Sequence, residues 1–106
     1  MDKDLKIYIE KLDRYYDAEG KLTQYPSKRP MRIIALAKIT EKFAAEKNYT
    51  EKEVNQIIKK SISFTDVELI RRELFQYKFI NRLKDGSQYW SEPNWRENYA
   101  EYIAEN

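Results

Sequence analysis

Two consecutive helix-start signals constrain the fold of this chain more than any other feature. Thr50 lies three residues before Glu53, Thr65 lies three residues before Glu68, and an apolar pattern of helical period follows each pair. This spacing predicts a capping box, in which each of the two side chains satisfies a backbone N–H group at the start of a helix. The segment 61–64 between the two helices is short enough for a helix–turn–helix corner.

The second of these helices has two different faces. Its core-facing stripe follows the spacing i, i+3, i+7 and i+10 and consists of Val67, Ile70, Leu74 and Tyr77. Its opposite face carries Thr65, Leu69, Arg72 and Gln76. Arg71 falls beside the apolar stripe, so we expect it to pair with an acidic group of another helix, whereas Arg72 is expected to pair with Glu68 or to contact a partner.

A β-hairpin is predicted directly after this helix. Phe79–Leu83 and Gln88–Trp90 are rich in strand-forming residues, and Asp85-Gly86 between them favours a two-residue type I′ turn. The resulting register places two sets of side chains on opposite faces. The face expected to point to the core carries Phe79, Leu83 and Trp90. The opposite face carries Ile80, Arg82 and Tyr89.

Amphipathic helices are predicted on both sides of this segment. Residues 2–16 form the first, residues 31–47 form the first helix of a three-helix core, and the last helix follows Pro93. Tyrosine dominates the apolar faces of the two terminal helices, which is compatible with packing on their own core and also with a homodimer contact.

Together these elements predict a mainly α fold with a small β-hairpin. It is a winged helix-turn-helix core, three helices plus the wing, flanked by N- and C-terminal helices. We expect one domain over residues 1–106, in which 1–27 form the N-terminal helix and its connection, 28–92 the winged-helix core and 93–106 the C-terminal helix.

Composition excludes several classes of function. The chain of 106 residues contains no cysteine and no histidine, which removes thiolate chemistry, zinc-finger ligation and the commonest general base. The sequence has neither a Gly-rich phosphate loop nor a carboxylate pair spaced for acid–base catalysis, so we expect a protein that is not an enzyme and has no cofactor or metal. Without an apolar run of transmembrane length, the expected location is cytoplasmic, with no membrane partner.

The charge distribution favours a nucleic-acid partner. Residues 28–90 contain fourteen Lys or Arg and eight Asp or Glu, a net charge of +6, whereas residues 91–106 contain one and four, a net charge of −3. A basic centre suits double-stranded DNA. The candidate DNA-binding residues are those of the exposed helix face, the hairpin and the end of the preceding helix: Thr65, Leu69, Arg72, Gln76, Arg82, Lys84, Lys59 and Lys60.

The same region resembles a known bacterial family. Tyr25-Pro26 and Lys28-Arg29, Tyr49-Thr50-Glu51, Glu53-Val54-Asn55, Arg71-Arg72-Glu73-Leu74, and then Arg82, Gly86 and Tyr89-Trp90 resemble the domain of unknown function 2087. The resemblance covers about two thirds of the chain, roughly residues 22–90. Members of that family occur alone or joined to helix-turn-helix regulators, which implies a link with transcription control and supplies no catalytic residues.

Two functional hypotheses follow. The first is a small, dimeric winged-helix regulator that binds DNA. The second is a winged-helix module that docks on another protein and does not bind DNA, because the second helix of the pair carries Asp66, Glu68 and Glu73 as well as its arginines.

Overall fold

The computed structural model describes residues 3–103, with side chains from Leu5 onward. Within that range six helices and a two-stranded antiparallel sheet follow one another along the chain. They are α1 (Lys3–Asp13), α2 (Arg29–Thr40), α3 (Glu51–Lys59), α4 (Val67–Gln76), β1 (Ile80–Arg82), β2 (Tyr89–Ser91), α5 (Trp95–Asn98) and α6 (Ala100–Ile103). Residue 2 of the predicted first helix and residues 104–106 of the predicted last helix lie outside the described range. Each of the helices is too short or too polar to cross a lipid bilayer.

Helix α2 is the centre of the core. It packs against α1, α4 and α6, and apolar side chains are therefore buried around most of its circumference. The helix was expected to continue to Lys47 but ends at Thr40. The cause is long-range: the backbones of Tyr49 and Tyr89 exchange two hydrogen bonds of 2.7 Å, and the chain must leave the helix to bring them together.

Helices α3 and α4 form the predicted helix–turn–helix, with one capping box instead of two. At the start of α3 the Thr50 side chain accepts a hydrogen bond from Glu53 N at 3.1 Å, and the Glu53 side chain accepts one from Thr50 N at 2.8 Å. The box predicted at Thr65 is wrong, because Asp66 is the N-cap of α4 and its Oδ1 accepts from Leu69 N at 3.0 Å. A carboxylate is favoured over a hydroxyl at the positive end of the helix dipole.

The hairpin has the predicted register but buries the opposite face. Arg82 pairs with Tyr89 and Ile80 with Ser91, as a turn centred on Asp85-Gly86 requires. Ile80 and Tyr89 are buried, whereas Leu83 is 43% exposed, so the expected assignment of the core face was wrong. The turn is not type I′ either, because among its non-glycine residues none has a positive φ.

The connection from α4 explains this reversal. Lys78 adopts a left-handed φ of 64°, Phe79 N donates to Leu74 O at 2.9 Å, and Lys78 N donates to Phe75 O at 3.0 Å. These bonds form a Schellman motif, in which the side chain two residues past the helix packs back on the last turn. Phe79 is therefore buried by the helix end, before the strand begins, and does not define the inward face of the hairpin.

Replacing Lys78 by glycine is expected to raise the free energy of unfolding by about 1 kcal/mol. Glycine adopts the left-handed conformation without the steric cost that a Cβ atom imposes. Urea unfolding of the variant and the parent protein measures the change. The same substitution at the exposed Lys6, in the interior of α1, should have the opposite sign, because glycine costs about 1 kcal/mol inside a helix. A loss of stability at Lys78 would contradict the assignment of the motif.

The tyrosines of both terminal segments pack on the core of their own chain. Tyr8, Tyr15 and Tyr16 of the N-terminal segment and Tyr99 and Tyr102 of the C-terminal segment are half-buried against it. The predicted last helix is divided into α5 and α6 at Tyr99. The Tyr99 ring stacks on Phe79 with 4.6 Å between centroids, and its hydroxyl donates to Tyr77 O at 2.6 Å.

Candidate functional site

A cleft of about 450 Å³ lies between α4, the hairpin turn and the start of α3. Three guanidinium groups, two carboxylates, an amide and a phenol hydroxyl meet there beside one exposed aromatic ring. We name it the arginine cleft, and its lining residues are Glu51, Arg71, Arg72, Phe75, Gln76, Arg82, Asp85, Gly86 and Tyr89.

Arg71 is the centre of a polar network on the floor of this cleft. Its Nη1 donates to Asn55 Oδ1 at 2.6 Å, and its Nε lies 3.9 Å from Glu51 Oε1. The Arg71 side chain is only 16% exposed. The predicted pairing of Arg71 with an acidic group of another helix is confirmed. Asn55, one of the residues that carry the family resemblance, accepts a hydrogen bond from this guanidinium.

Tyr89 extends the network to the hairpin. Its hydroxyl donates to Glu51 Oε1 at 3.0 Å, so one carboxylate joins α3 to both α4 and β2. Burial and this hydrogen bond raise the pKa of the Tyr89 hydroxyl, which therefore stays protonated and keeps donating. The network sets the position of the hairpin relative to α4.

Arg82 holds the hairpin turn. Its Nη1 donates to Lys84 O at 3.1 Å and more weakly to Leu83 O at 3.4 Å. The guanidinium plane covers the ring of Phe75, with 4.9 Å between the guanidinium carbon and the ring centroid. Arg82 therefore places a positive charge at the mouth of the cleft while part of its donor set is used within the hairpin.

Arg72 and Gln76 form the solvent-facing wall. Arg72 lies 3.6 Å from Glu68 in an i, i+4 pair, and its side chain is 64% exposed. An exposed pair of this kind is worth about 0–1 kcal/mol, so a partner can displace Glu68 at little cost. The predicted Glu68–Arg72 pair is confirmed.

The tip of the hairpin folds back on the start of α3. Gly86 has φ +75°, and a Cβ at this position would lie 3.9 Å from both Glu51 Oε1 and the Tyr89 hydroxyl. There is room for a Cβ atom at this position. Glycine is therefore favoured by the left-handed backbone conformation and not by a lack of space. Hydrogen bonds from Ser87 hold the pKa of the Asp85 carboxyl below its usual value, so the tip stays negatively charged.

The remaining acidic side chains of α4 and its cap are used within the fold. Asp66 caps the helix, and Glu73 accepts a hydrogen bond of 2.7 Å from the Tyr25 hydroxyl. Burial and this bond raise the pKa of Tyr25. The carboxylates that accompany the arginines on this helix are thus bound to partners of the same chain.

The structure brings three of the eight predicted DNA-binding residues into the arginine cleft: Arg72, Gln76 and Arg82. Lys84 is exposed on the hairpin turn, and Thr65, Lys59 and Lys60 are exposed outside the cleft. Leu69 is half-buried, although it was placed on the exposed face.

Sequence reasoning missed the part that Glu51 and Tyr89 play. Glu51 was assigned no role, and Tyr89 was placed on the hairpin face expected to point away from the core, although its ring is buried. The signal that could have found Tyr89 is its phenol hydroxyl, because a buried tyrosine usually directs that group to a polar partner. Among the side chains of residues 5–103, no three acidic groups come together in a way that could hold a metal ion.

Comparison with known proteins gives a family and no function. No curated protein and no solved structure matches the chain significantly. Residues 21–91 match the model of DUF2087, described as an uncharacterized protein conserved in bacteria. The matched region extends from just before Leu22 to the end of β2 and contains the whole arginine cleft. The chain therefore belongs to the DUF2087 family.

Proposed function

We propose that the protein binds double-stranded DNA through the exposed face of α4 and the hairpin, as a small regulator of transcription. The observation that carries this proposal is the meeting of Arg72, Gln76 and Arg82 in one cleft between a helix and a hairpin. Guanidinium and amide groups are the usual donors to phosphate oxygens and to base edges. In this arrangement α4 enters the major groove and the hairpin lies along the sugar–phosphate backbone.

Charge supports the same interface. The net charge of +6 over residues 28–90 contrasts with −3 over residues 91–106. Lys84 on the hairpin, together with Lys59, Lys60 and Thr65 beside α4, supplies further exposed donors. These side chains are suited to bind the DNA backbone, because they can approach phosphates without breaking contacts in the protein core.

A homodimer is part of this proposal. Two copies would present two α4 helices to successive turns of DNA, as paired half-sites require. The terminal helices are the proposed contact, because Ile7 on α1 is one of the large apolar side chains that the described structure leaves exposed. Sedimentation equilibrium of the free protein tests this contact independently of DNA.

Fluorescence anisotropy with a labelled random duplex at 50 and 200 mM salt tests DNA binding. For about three phosphate contacts, we expect the affinity to fall roughly 40-fold over this range, because each contact releases condensed counterions. The double variant Arg72→Ala with Lys84→Ala should lose most of the binding and most of the salt dependence. Arg82 is left intact, since its loss would also open the hairpin turn.

The matched control replaces an arginine and a lysine of α1 and its end, Arg14→Ala with Lys6→Ala. Both are exposed and lie outside the proposed DNA interface, and the charge change is the same. Because α1 also carries Ile7 of the proposed dimer contact, sedimentation equilibrium must show that this variant associates as the parent protein does. Equal losses in the two double variants would show that only net charge matters and would contradict a defined interface. Absence of binding at the lower salt concentration would exclude the proposal.

A protein partner is the second candidate, favoured by two exposed apolar side chains at the same place. Phe75 is 38% and Leu83 is 43% exposed beside the arginine cleft. Such residues are the usual anchors of protein interfaces. Recovery of one stoichiometric partner by the parent protein, lost in Phe75→Ser with Leu83→Ser, and no affinity for DNA would favour this function.

A further inference from the structure

A second groove, separate from the arginine cleft, lies between the α2–α3 loop and the segment from β2 to α5. Its volume is about 630 Å³, within the range of small-molecule sites. Phe43, Trp90 and Trp95 supply aromatic walls, and these are the two tryptophans of the chain. Trp90 is only half-buried, on the hairpin face that points away from the core. We name this site the tryptophan groove.

Cations border the aromatic walls. The Arg96 guanidinium lies 4.4 Å from the centroid of the Trp95 ring. Lys47 also lines the groove, and its ammonium lies 5.0 Å from the centroid of the Tyr49 ring, which is outside the lining and packs edge-on against Phe43. Arg96 also lies 3.8 Å from Glu41, in an exposed pair that an anion can replace. Two positive charges are thus held at the edge of an apolar surface.

Two acidic side chains also line the groove, and one of them is engaged by a neighbouring residue. Glu92 accepts a hydrogen bond of 3.2 Å from Asn81 Nδ2, which holds it toward β1. Glu46 is exposed on the loop, in a left-handed conformation with φ 57° that side chains other than glycine, asparagine and aspartate rarely adopt.

We propose that the tryptophan groove binds a planar aromatic carboxylate. The ring stacks against Trp90 and packs on Phe43 and Trp95, and the carboxylate takes hydrogen bonds from Lys47 and Arg96. A neutral aromatic compound would fill the same walls but form no ion pair with the two cations. A purely aliphatic acid would satisfy the cations but lose the stacking.

Strand β2 connects this groove to the arginine cleft. Tyr89 lines the cleft and the next residue, Trp90, lines the groove. A ligand that shifts Trp90 therefore acts on the strand whose Tyr89 hydroxyl is bonded to Glu51. An effect of the ligand on DNA affinity rests on the proposed function, whereas binding of the ligand does not.

Titration of ¹⁵N-labelled protein with 2-naphthoate tests the groove directly. The two indole N–H resonances both report on it, and we expect both to shift with a dissociation constant on the order of 0.1–1 mM. Lys47→Gln should weaken binding about tenfold, because one charge-assisted hydrogen bond is lost. Lys6→Gln removes the same charge from α1 and should leave the affinity unchanged.

Two further probes share the ring and differ in charge. The amide 2-naphthamide should bind about tenfold more weakly than the carboxylate, and 2-naphthylmethylamine more weakly still. Unshifted indole resonances at millimolar 2-naphthoate, or equal affinity for all three probes, would overturn the proposal. No DNA is present, so this result and that of the anisotropy experiment are read separately.

Discussion

Replacing Phe79 by alanine is expected to lower the free energy of unfolding by about 3–5 kcal/mol. The side chain is fully buried, stacks on Tyr99 at 4.6 Å and meets Trp95 at 5.7 Å between ring centroids. Truncation leaves a cavity where α4, the hairpin and the C-terminal helices meet. Because domains of this size are stable by only about 5–15 kcal/mol, the loss would be visible in urea or thermal unfolding.

Phe75→Ala is the matched control for this prediction. It removes the same type of side chain four residues earlier, where the residue is 38% exposed and its ring packs under the Arg82 guanidinium. We expect a loss of about 1 kcal/mol or less. Similar losses at the two positions would mean that the Schellman turn does not bury Phe79 as described.

Arg71→Ala is expected to lower the free energy of unfolding by about 2–3 kcal/mol. The substitution removes the donor to Asn55 and the cation nearest to Glu51, and it leaves their polar groups partly buried. The position of the hairpin depends on the same network, because Tyr89 is bonded to Glu51. Denaturant unfolding gives the free energy, and the Tyr89 backbone amide resonance reports whether the hairpin moves.

The adjacent Arg72 provides the control. Its side chain is 64% exposed and pairs with the exposed Glu68, so Arg72→Ala should change stability by about 0.5 kcal/mol or less. Of these two arginines, we expect Arg72 to be the one that contacts DNA directly. If the two variants were equally destabilised, the distinction between a buried and an exposed arginine would fail.

Much of the fold could be predicted because its signals are local. The capping box of Thr50 and Glu53, the stripe of α4 and the hairpin register all depend on residues within a few positions of one another. The different environments of Arg71 and Arg72 also followed from the helical period. The candidate site could be predicted to the same extent: Arg72 and Gln76 from the helix face, and Arg82 from the hairpin.

Contacts between distant segments decided the rest. The buried face of the hairpin follows from the turn at Lys78, which no alternation of apolar residues reports. Helix α2 stops at Thr40 because Tyr49 must reach Tyr89, forty residues further along the chain.

The two candidate sites show the same division. Residue type and period determined from sequence that α4 would present an exposed arginine beside a hairpin. Only the tertiary structure joined Glu51, Arg71 and Tyr89 into one network, and only it brought Phe43 and both tryptophans to the same groove. The physical reason is that a local pattern specifies which side of an element is apolar, whereas packing in three dimensions specifies which elements meet and which polar groups then find a partner.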